Sequence, residues 1–493
     1  MPQSAGDAGA PQARSVSNDS IESWDRTCDV LVVGLGGAGA AAAIEAARSG
    51  ADTLVLERMS RGGGATALST GVVYFGGGTR IQQACGFDDS VEEMRKHVAL
   101  AAGANAEAEK VRLYCEGSPE HFEWFCDLGV EWKPTFVAEK TTHPFDDDCL
   151  FYSGNEQVHP FVEHARPAPR GHKPARKGEA GGYLMECLLR GAEEAGAEIR
   201  NDHRVEALVQ RSDGRVVGVV ASVAGATTAV RARRGVILCA GGFVMNDAML
   251  AQYAPSLLRC NWKAASAGDD GLGIELGAAA GGALLNMDEG LVLNAYYPPA
   301  AHLKGILVNE RGQRFINEDS YLGRTSDAIL HRQNGRAWLI VDDALYGQTQ
   351  AHHRLAAVEE TFADLERALA FPSGALVATI ETYNREASRG RDPVHRKAPE
   401  YLRPLTTPPY AALDCCVDHS IFGVFTLGGL ATRATGEVLG EDGAPVSGLY
   451  AAGRNTAGLI REGRTYASGL SIGDATFFGR LAGRRAAAAE ASE

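Results

Sequence analysis

The sequence predicts an α/β fold in which a nucleotide-binding sheet is interrupted by a second, inserted domain of mixed α+β elements. An apolar run near the amino terminus ends in closely spaced glycines and leads into an alanine-rich segment and a second apolar run. A similar pattern of apolar runs and glycine turns returns near the carboxyl end, after a stretch of different character. With 493 residues, 45% of them hydrophobic and 22% charged, the chain is long enough for two or more domains.

The first predicted unit is a strand, a helix and a second strand. Residues 28–34 (CDVLVVG) predict the first strand, Ala38–Ser49 the helix, and Thr53–Leu56 the second strand, which Glu57 closes. Further elements of the same domain are a helix over Tyr183–Gly196, a strand over His203–Gln210, and a strand entering a glycine turn over Gly235–Phe243.

The pattern changes at about residue 294, and we expect a substrate or capping domain over residues 294–416. Its predicted elements are strands over Gly305–Asn309 and Ala337–Asp342, and helices over Ala356–Ala370 and Ala375–Ser388. The first domain, predicted for residues 26–293, resumes over 417–493 with a strand at Gly448–Gly453 and a helix at Gly469–Ala486. Residues 1–25 are expected to form a disordered leader.

Composition excludes several classes of function. A formal net charge of −14 argues against nucleic-acid binding, which depends on Lys and Arg neutralising phosphates. No apolar run approaches the ~18 to 20 residues of a membrane span, and the leader lacks the apolar stretch of a signal peptide, so we expect a cytoplasmic protein. The ten cysteines include no CxxC pair, so no metal site is predicted. No second redox centre is recognisable, which implies a diffusible electron partner.

The glycines of the first unit have the spacing of a dinucleotide-binding fingerprint, Gly34-x-Gly36-x-x-Gly39, and Glu57 ends the next strand. Gly34 is expected to make the turn, and Gly36 to let the backbone approach a pyrophosphate at the helix N-terminus. Gly39 would permit close helix packing, and Glu57 would accept a hydrogen bond from a ribose hydroxyl. The complete unit predicts a Rossmann-like domain, although it does not separate FAD from NAD.

The other glycine-rich segments resemble the superfamily of FAD enzymes that contains fumarate reductases and 3-ketosteroid dehydrogenases. They are Glu57–Thr66, Ala240–Gly242 and Leu449–Gly453, and the resemblance spans about residues 28–90 and 183–483. It implies that FAD is the cofactor, with Val205 presenting its backbone to adenine and the helix start near Gly469 facing the flavin. The sequence gives no basis for assigning a covalent attachment residue, so we expect the FAD to be bound noncovalently. The family commonly has Glu after the last segment, where this sequence has Arg454. The implied cofactor residues are Gly34, Gly36, Gly39, Glu57, Arg58, Gly63, Gly64, Ala65, Thr66, Val205, Ala240, Gly241, Gly242, Gly453, Arg454, Gly469, Ser471 and Ile472.

Within this superfamily the resemblance favours an apolar ketone over a dicarboxylate. Fumarate reductases hold two carboxylates with His and Arg, whereas Phe425 and Tyr466 stand at the matching motif positions. Leu322 occupies the place expected for the catalytic Arg. Phe425, Gly428 and Gly429 are therefore the predicted substrate-binding residues, and a steroid is the expected ligand.

The segment Tyr466–Arg480 resembles the 3-ketosteroid 4-dehydrogenase branch, and Tyr321 matches that branch's second active-site tyrosine. The resemblance implies that Tyr466, Tyr321 and Ser468 form the catalytic site. Our hypothesis is that Tyr466 donates to the ketone oxygen while Tyr321, relayed through Ser468, takes a proton from carbon 4 and a hydride passes from carbon 5 to the flavin. Tyr296 and Tyr297 compete for one of these roles.

Three alternatives stay open at this point. The same fold could act as an enoate or fumarate-type reductase on another substrate, or as a 3-ketosteroid 1-dehydrogenase. A non-catalytic FAD-binding redox protein is the third.

Overall fold

The computed structural model of this protein describes residues 14–492, and its largest feature is a nine-stranded sheet. Along the main path the strands are Arg14–Ser17, Arg204–Gln210, Val216–Val223, Ala226–Leu238, Arg26–Val33, Thr53–Leu56 and Glu198–Arg200, with Pro445–Ala451 and Glu437–Leu439 joined through Ala226–Leu238. The central strands run parallel, as the strand-helix-strand pattern predicts. They are apolar because helices and other layers cover both faces.

Two helices pack together on this sheet, and glycine makes their contact close. The alanine-rich helix Gly37–Arg48 lies against the final helix, Leu470–Ala487. A Cβ at Gly479 would lie 2.6 Å from the carbonyl oxygen of Ala38, and one at Gly483 would lie 2.2 Å from that of Ala42. Small residues on both helices therefore allow close contact between them. This contact joins the two ends of the predicted first domain.

A separate four-stranded antiparallel sheet lies within the residues expected to form the inserted domain. Its strands, in spatial order, are Ile306–Val308, Trp338–Asp342, Tyr410–Asp414 and Leu355–Glu359, and the helices Phe362–Ala368 and Ala375–Ala387 follow its last-named strand in sequence. The structure differs from the helix predicted over Ala356–Ala370, whose first part is a strand. Leu355–Glu359 pairs with Tyr410–Asp414, so a contact distant in sequence decides its conformation.

The described residues also form three small sheets. Their strands are Trp262–Lys263, Gly423–Thr426 and Gly290–Leu293; Leu284–Leu285 and Gly429–Leu430; and Val73–Tyr74, Gly171–His172, Leu150–Phe151 and Phe136–Val137. The remaining α-helices are Gly64–Ala67, Arg80–Ala84, Val91–Ala101, Ala108–Asp127, Gly181–Glu194, Asp247–Tyr253, Leu272–Ala279 and Leu322–Asp327.

Part of the segment predicted to form a disordered leader is a strand. Residues 1–13 lie outside the described residues, but Arg14–Ser17 is a strand that pairs in parallel with Arg204–Gln210. The backbone of residues 14–17 is ordered because it completes the edge of the large sheet, a contact that composition does not reveal. Among the described helices, none is long and apolar enough to cross a membrane.

Candidate active site

The glycine fingerprint forms an open cradle at the start of the first helix. Gly34 has φ +95°, and a Cβ there would lie 2.6 Å from the carbonyl oxygen of Cys239. A Cβ at Gly39 would lie 2.0 Å from the Gly34 carbonyl oxygen, which explains why both positions need glycine. At Gly36 the nearest atom to such a Cβ is 3.9 Å away, so the protein leaves room there.

This cradle fits a dinucleotide. No side chain caps the helix that starts at Gly37, so its first N–H groups point into the space beside Gly36 and are available to a phosphate. The second glycine-rich loop lies against the first, because a Cβ at Gly64 would be 3.3 Å from the Gly36 Cα. Ala65 and Thr66 continue that loop as the short helix Gly64–Ala67, and Gly63 is its N-cap residue.

Glu57 ends its strand beside the cradle, as predicted from the spacing. Its buried carboxylate accepts hydrogen bonds from the Leu35 N–H at 2.7 Å and the Met59 N–H at 2.8 Å. These bonds use one lone pair on each oxygen and leave the others for a ribose. Arg58 instead extends to Asp270, with 2.6 Å between the charged atoms. Val205 is buried in the strand that pairs with Val216–Val223.

Asp269 and Asn455 hold the third glycine turn, and motif analysis did not select either residue. The Gly242 N–H donates to Asp269 Oδ1 at 2.7 Å, and the Ala240 N–H donates to Asn455 Oδ1. Arg454 is 3.0 Å from the same Asp269 carboxylate. Its guanidinium also lies over the ring of Phe425, 5.1 Å from the centroid. Arg454 thus links the predicted cofactor turn to the predicted substrate wall.

Asp269 and Asn455 are 186 residues apart in sequence, and no local spacing connects them. One signal was available for Asn455, since it stands two residues after Gly453, the last residue of the glycine motif. At Gly241, with φ +88°, a Cβ would lie 2.3 Å from Asp269 Oδ1, so the carboxylate occupies the space that a side chain would need.

Tyr466 points at the N-terminus of the final helix. Its hydroxyl accepts a hydrogen bond from the Ser471 N–H at 3.2 Å and donates to Ser471 Oγ at 3.1 Å. Gly469 makes the preceding turn with φ +97°, and a Cβ there would lie 2.7 Å from the Tyr74 N atom. Burial raises the pKa of Tyr466, and the two hydrogen bonds with Ser471 partly offset this rise. The structure thus gives Ser471, predicted as a cofactor residue, a direct contact with a predicted catalytic group.

Two further predicted cofactor residues, Ile472 and Gly453, have packing contacts. Ile472 is buried on the final helix. Gly453 has φ +64°, and a Cβ at this position would lie 2.8 Å from the Ala38 methyl group. The absence of a side chain at Gly453 therefore leaves space for Ala38. These contacts bring the cradle and the final helix together at one edge of the large sheet.

Tyr321 precedes the helix Leu322–Asp327 and faces Tyr466. The ring centroids of the two tyrosines are 6.2 Å apart, with an angle of 39° between the ring planes. Burial raises the pKa of Tyr321 well above its usual value, the nearby Tyr466 adds to the rise, and a side-chain interaction with Ser468 lowers it. The structure therefore brings together the three residues that the resemblance selected, from segments 145 residues apart.

A four-residue segment that sequence analysis missed, Ser153–Glu156, joins these tyrosine segments. The Ser468 N–H donates to the Ser153 carbonyl oxygen at 3.0 Å, and Ser153 Oγ donates to the Ser468 carbonyl oxygen at 2.9 Å. Two residues later, Asn155 Oδ1 accepts a hydrogen bond from the Tyr321 N–H at 2.8 Å. The segment therefore fixes the backbones of Tyr321 and Ser468 relative to each other.

Glu156, the last residue of this segment, places a buried carboxyl group near Tyr321. It is fully buried, and it accepts hydrogen bonds from the Gly154 N–H at 2.8 Å and the Tyr74 hydroxyl at 3.1 Å. Burial raises its pKa, and the hydrogen bonds and Arg170 partly offset the rise. Its negative charge also disfavours ionisation of Tyr321.

The predicted substrate residues divide into one that borders the tyrosines and two that pack on backbone. The Phe425 ring is 6.0 Å from the Tyr466 ring and nearly perpendicular to it. A Cβ at Gly428 would lie 2.3 Å from the Asn286 carbonyl oxygen, and one at Gly429 would lie 2.5 Å from that of Asn455. Close backbone contacts therefore require glycine at both positions, independently of any substrate. Leu322 is buried in the apolar core of the inserted region.

The competing tyrosines, Tyr296 and Tyr297, have other partners, and so does His419, which precedes the strand Gly423–Thr426. Tyr296 is fully buried and donates to the Glu318 carbonyl oxygen at 2.6 Å. Tyr297 is also buried, with its ring 5.2 Å from that of Tyr296. His419 lies 2.9 Å from Asp414, and one potential ligand atom from each of Asp414, Cys416 and His419 lies within 4.8 Å of the others. The Arg354 guanidinium contacts both Asp414 and His419, so a cation already neutralises the carboxylate.

The fold and the cradle define a dinucleotide-binding α/β protein with a pair of buried tyrosines beside the cofactor site. A family described as the FAD binding domain matches residues 29–466. The chain is 30% identical over 505 aligned residues to the 3-oxo-5-alpha-steroid 4-dehydrogenase of Comamonas testosteroni, with 89% of this chain and 94% of that protein covered. It is 27% identical to the probable fumarate reductase Ifc3 of Shewanella frigidimarina, with 94% and 75% covered.

Two solved structures are similar to this chain over most of its length. The 3-ketosteroid-delta4-(5alpha)-dehydrogenase from Rhodococcus jostii RHA1, solved with 4-androstene-3,17-dione, has a TM-score of 0.91 and 46% identity, covering 96% of this chain and 99% of that one. The open conformation of a flavocytochrome c3 fumarate reductase has a TM-score of 0.67 and 26% identity, covering 94% and 78%. This chain belongs to the FAD-binding family, and it is an FAD-dependent oxidoreductase. The predicted α/β fold, the family and the cofactor are confirmed.

Proposed function

We propose that this enzyme is a 3-ketosteroid 4-dehydrogenase, which introduces a double bond between carbons 4 and 5 of a 3-ketosteroid. The observation that carries the proposal is the pairing of Tyr321 and Tyr466, with ring centroids 6.2 Å apart, beside the apolar ring of Phe425. The similarity to two steroid 4-dehydrogenases supports the same chemistry.

The first step is loss of a proton from carbon 4, the carbon made acidic by the neighbouring ketone. Its C–H electron pair moves toward the carbonyl, and the developing negative charge on oxygen needs a donor. Tyr466 is suited to this role because its hydroxyl already accepts the Ser471 N–H at 3.2 Å, which polarises its own O–H. The proton leaves through Ser468 to the phenolate oxygen of Tyr321, which must be ionised before this step.

In the second step the ketone re-forms, the bond between carbons 4 and 5 becomes double, and a hydride leaves carbon 5. Bound FAD supplies the acceptor for this hydride. The cradle at Gly36 and the carboxylate of Glu57 would hold the cofactor, and a diffusible oxidant would later take its electrons. We assign residues 294–416 to a substrate domain, because Tyr321 comes from that part of the chain.

The ring of Phe425 forms an apolar wall beside Tyr466, and this wall argues against a dicarboxylate substrate. A dianion needs charged donors, and desolvating it against the Phe425 ring without them is unfavourable. Arg454 is near the wall, but its charge is paired with Asp269 at 3.0 Å. This is the specific reason to prefer the steroid over fumarate.

The test is anaerobic bleaching of the flavin absorbance in the purified enzyme. We expect saturated 3-ketosteroids to bleach the oxidised flavin rapidly, while succinate does not. In the reverse direction, the dye-reduced enzyme should not be reoxidised by fumarate at a useful rate. Saturable turnover of succinate or fumarate would contradict the proposal. Product analysis separates desaturation at carbons 4 and 5 from desaturation at carbons 1 and 2.

A further inference from the structure

One face of the three-stranded sheet leads from Tyr466 toward the protein surface. Trp262 and Leu293 both pair with Gly423, and Leu291 pairs with Phe425. Alternate residues of a strand share a face, so Gly423 and Phe425 point the same way. Their partners in register, Trp262 and Leu293, point to that face as well.

Contacts at Gly423 confirm this orientation. A Cβ at Gly423 would lie 2.8 Å from Trp262 Cε3 and 3.6 Å from Leu293 Cβ. The indole therefore lies over Gly423, in the space that a side chain would otherwise occupy. Gly423 and Phe425 are two residues apart, which is about 7 Å along a strand.

We call the side chains of Phe425, Leu293 and Trp262 on this face the strip. The inner end of the strip belongs to the site already described. Phe425 and Leu293 pack against the apolar cluster that contains Tyr321 and Tyr466. The outer end is open: the exposed fraction of Trp262 is 56%, and that of Ile421, near the same end of the sheet, is 46%. A large exposed indole continuous with an apolar wall is typical of a binding surface.

We propose that Trp262 is the outer contact for the rings of a polycyclic ketone that lie far from the reacting carbonyl. This inference rests on the proposed function, since it places the ketone at Tyr466 and the hydrocarbon along Phe425 and Leu293. Trp262 covers the distal rings with its flat face and selects long, rigid ketones over short ones. It is a specificity-determining residue, and it leaves the chemistry at the first ring unchanged.

The experiment compares Trp262→Ala and Trp262→Phe with the parent enzyme on two ketones that share the reacting ring. One is a saturated four-ring 3-ketosteroid and the other a 4-alkylcyclohexanone. We expect Trp262→Ala to lower kcat/KM for the steroid roughly 10-fold or more, the scale of a lost apolar contact in a pocket, through KM. The kcat for the steroid and both constants for the cyclohexanone should stay near parental values, and Trp262→Phe should restore most of the loss.

The matched control is Val394→Ala, which truncates another exposed apolar residue, 67% exposed and outside the strip. It should leave all constants unchanged. FAD content and thermal midpoint should match the parent in every variant. An unchanged steroid KM in Trp262→Ala, or equal losses for both ketones, would overturn the inference.

A binding measurement separates this inference from the proposed function. Equilibrium dialysis of a labelled 3-keto-4-ene steroid measures affinity without turnover. If the parent oxidises no ketone but Trp262→Ala weakens steroid binding, the proposed reaction is wrong and the subsite stands. If the parent oxidises the steroid and Trp262→Ala binds it with parental affinity, the subsite is wrong and the reaction stands.

Discussion

Tyr466 and Tyr321 face each other, but their surroundings suit them to different tasks. The Tyr466 hydroxyl receives the Ser471 N–H at 3.2 Å from the start of a helix, where negative charge is favoured. Tyr321 has the buried carboxyl of Glu156 nearby, which opposes formation of its anion. This contrast supports Tyr466 as the donor to the ketone and makes the ionisation of Tyr321 the more demanding event.

Replacing Tyr466 with Phe should slow flavin reduction by about 10² to 10³, the cost of losing an oxyanion donor. The ring still packs on Phe425, so FAD content and thermal stability should be retained. Stopped-flow measurement of flavin reduction checks the rate, and exchange of the carbon 4 hydrogens with deuterated water should slow in parallel. A variant that reduces flavin at the parental rate would show that another group holds the ketone.

Tyr321→Phe should keep steroid affinity and lose turnover by about 10² to 10⁴, as expected for removal of a general base. In the parent, the raised pKa of Tyr321 means that the hydroxyl is protonated at neutral pH. The fraction of anion grows with pH, so the rate of flavin reduction should rise from neutral pH without a plateau below about pH 10.

That rise should disappear in Tyr321→Phe, and a pH series by stopped flow checks it. If the variant keeps both the parental rate and the parental pH profile, Ser468 or Tyr297 must take the proton instead.

At the scale of elements, two glycines of one fingerprint have different reasons to be glycine. Gly36 faces open space, with 3.9 Å to the nearest atom, whereas a side chain at Gly39 would collide with the Gly34 carbonyl at 2.0 Å. Gly36 leaves space for the cofactor, whereas Gly39 allows the helix to pack on the strand.

Gly36→Val should therefore fold but lose FAD, because the side chain fills the space for the pyrophosphate. Gly39→Val should fail to fold, since backbone must move to admit it. Flavin absorbance after purification and far-ultraviolet circular dichroism distinguish the two results. Full FAD occupancy in Gly36→Val would refute this position for the cofactor.

At the scale of the whole molecule, a buried ionic cluster anchors the segment that carries Tyr321. Glu318 lies 2.8 Å from Arg314 and 3.1 Å from Lys397, and Arg314 also contacts Asp392 at 2.9 Å. Burial alone would raise the pKa of Glu318, but the two cations override it and lower the pKa to about 2. Glu318 also accepts the Leu307 N–H at 3.0 Å, which ties the segment to the antiparallel sheet.

A carboxyl whose pKa is lower in the folded state stabilises the fold above its unfolded pKa of about 4.3. This contribution should be lost as the pH falls from about 4 toward 2. Glu318→Gln leaves two buried cations short of a partner and should lower the free energy of unfolding at pH 7 by about 3–5 kcal/mol.

Chemical denaturation monitored by circular dichroism at a series of pH values measures both effects. The control Glu92→Gln removes an exposed partner of Arg95 and should leave stability nearly unchanged. Equal stability of Glu318→Gln and the parent at pH 7 would contradict the assigned role of the cluster.

The sequence by itself determined the dinucleotide unit, because the turn, the helix and the closing acid lie within 30 residues and each has a steric or charge requirement. The resemblance then selected Tyr321, Tyr466 and Ser468. Their catalytic roles, the roles of the other site residues and the domain boundaries stay predictions. Local patterns were weakest where long-range pairing decides conformation: Leu355–Glu359 became a strand, and Arg14–Ser17 joined a sheet edge.

Only the tertiary structure decided which distant groups come together around the predicted site residues. Asp269, Asn155 and Trp262 belong to no motif, and each pairs with a partner more than 150 residues away. The physical reason is that hydrogen bonding and burial depend on proximity in space, while a sequence pattern records only neighbours along the chain. The segment 165–177 illustrates this: it is rich in Pro, Arg and Lys, yet Arg170 is fully buried because Asp89 pairs with it at 2.6 Å.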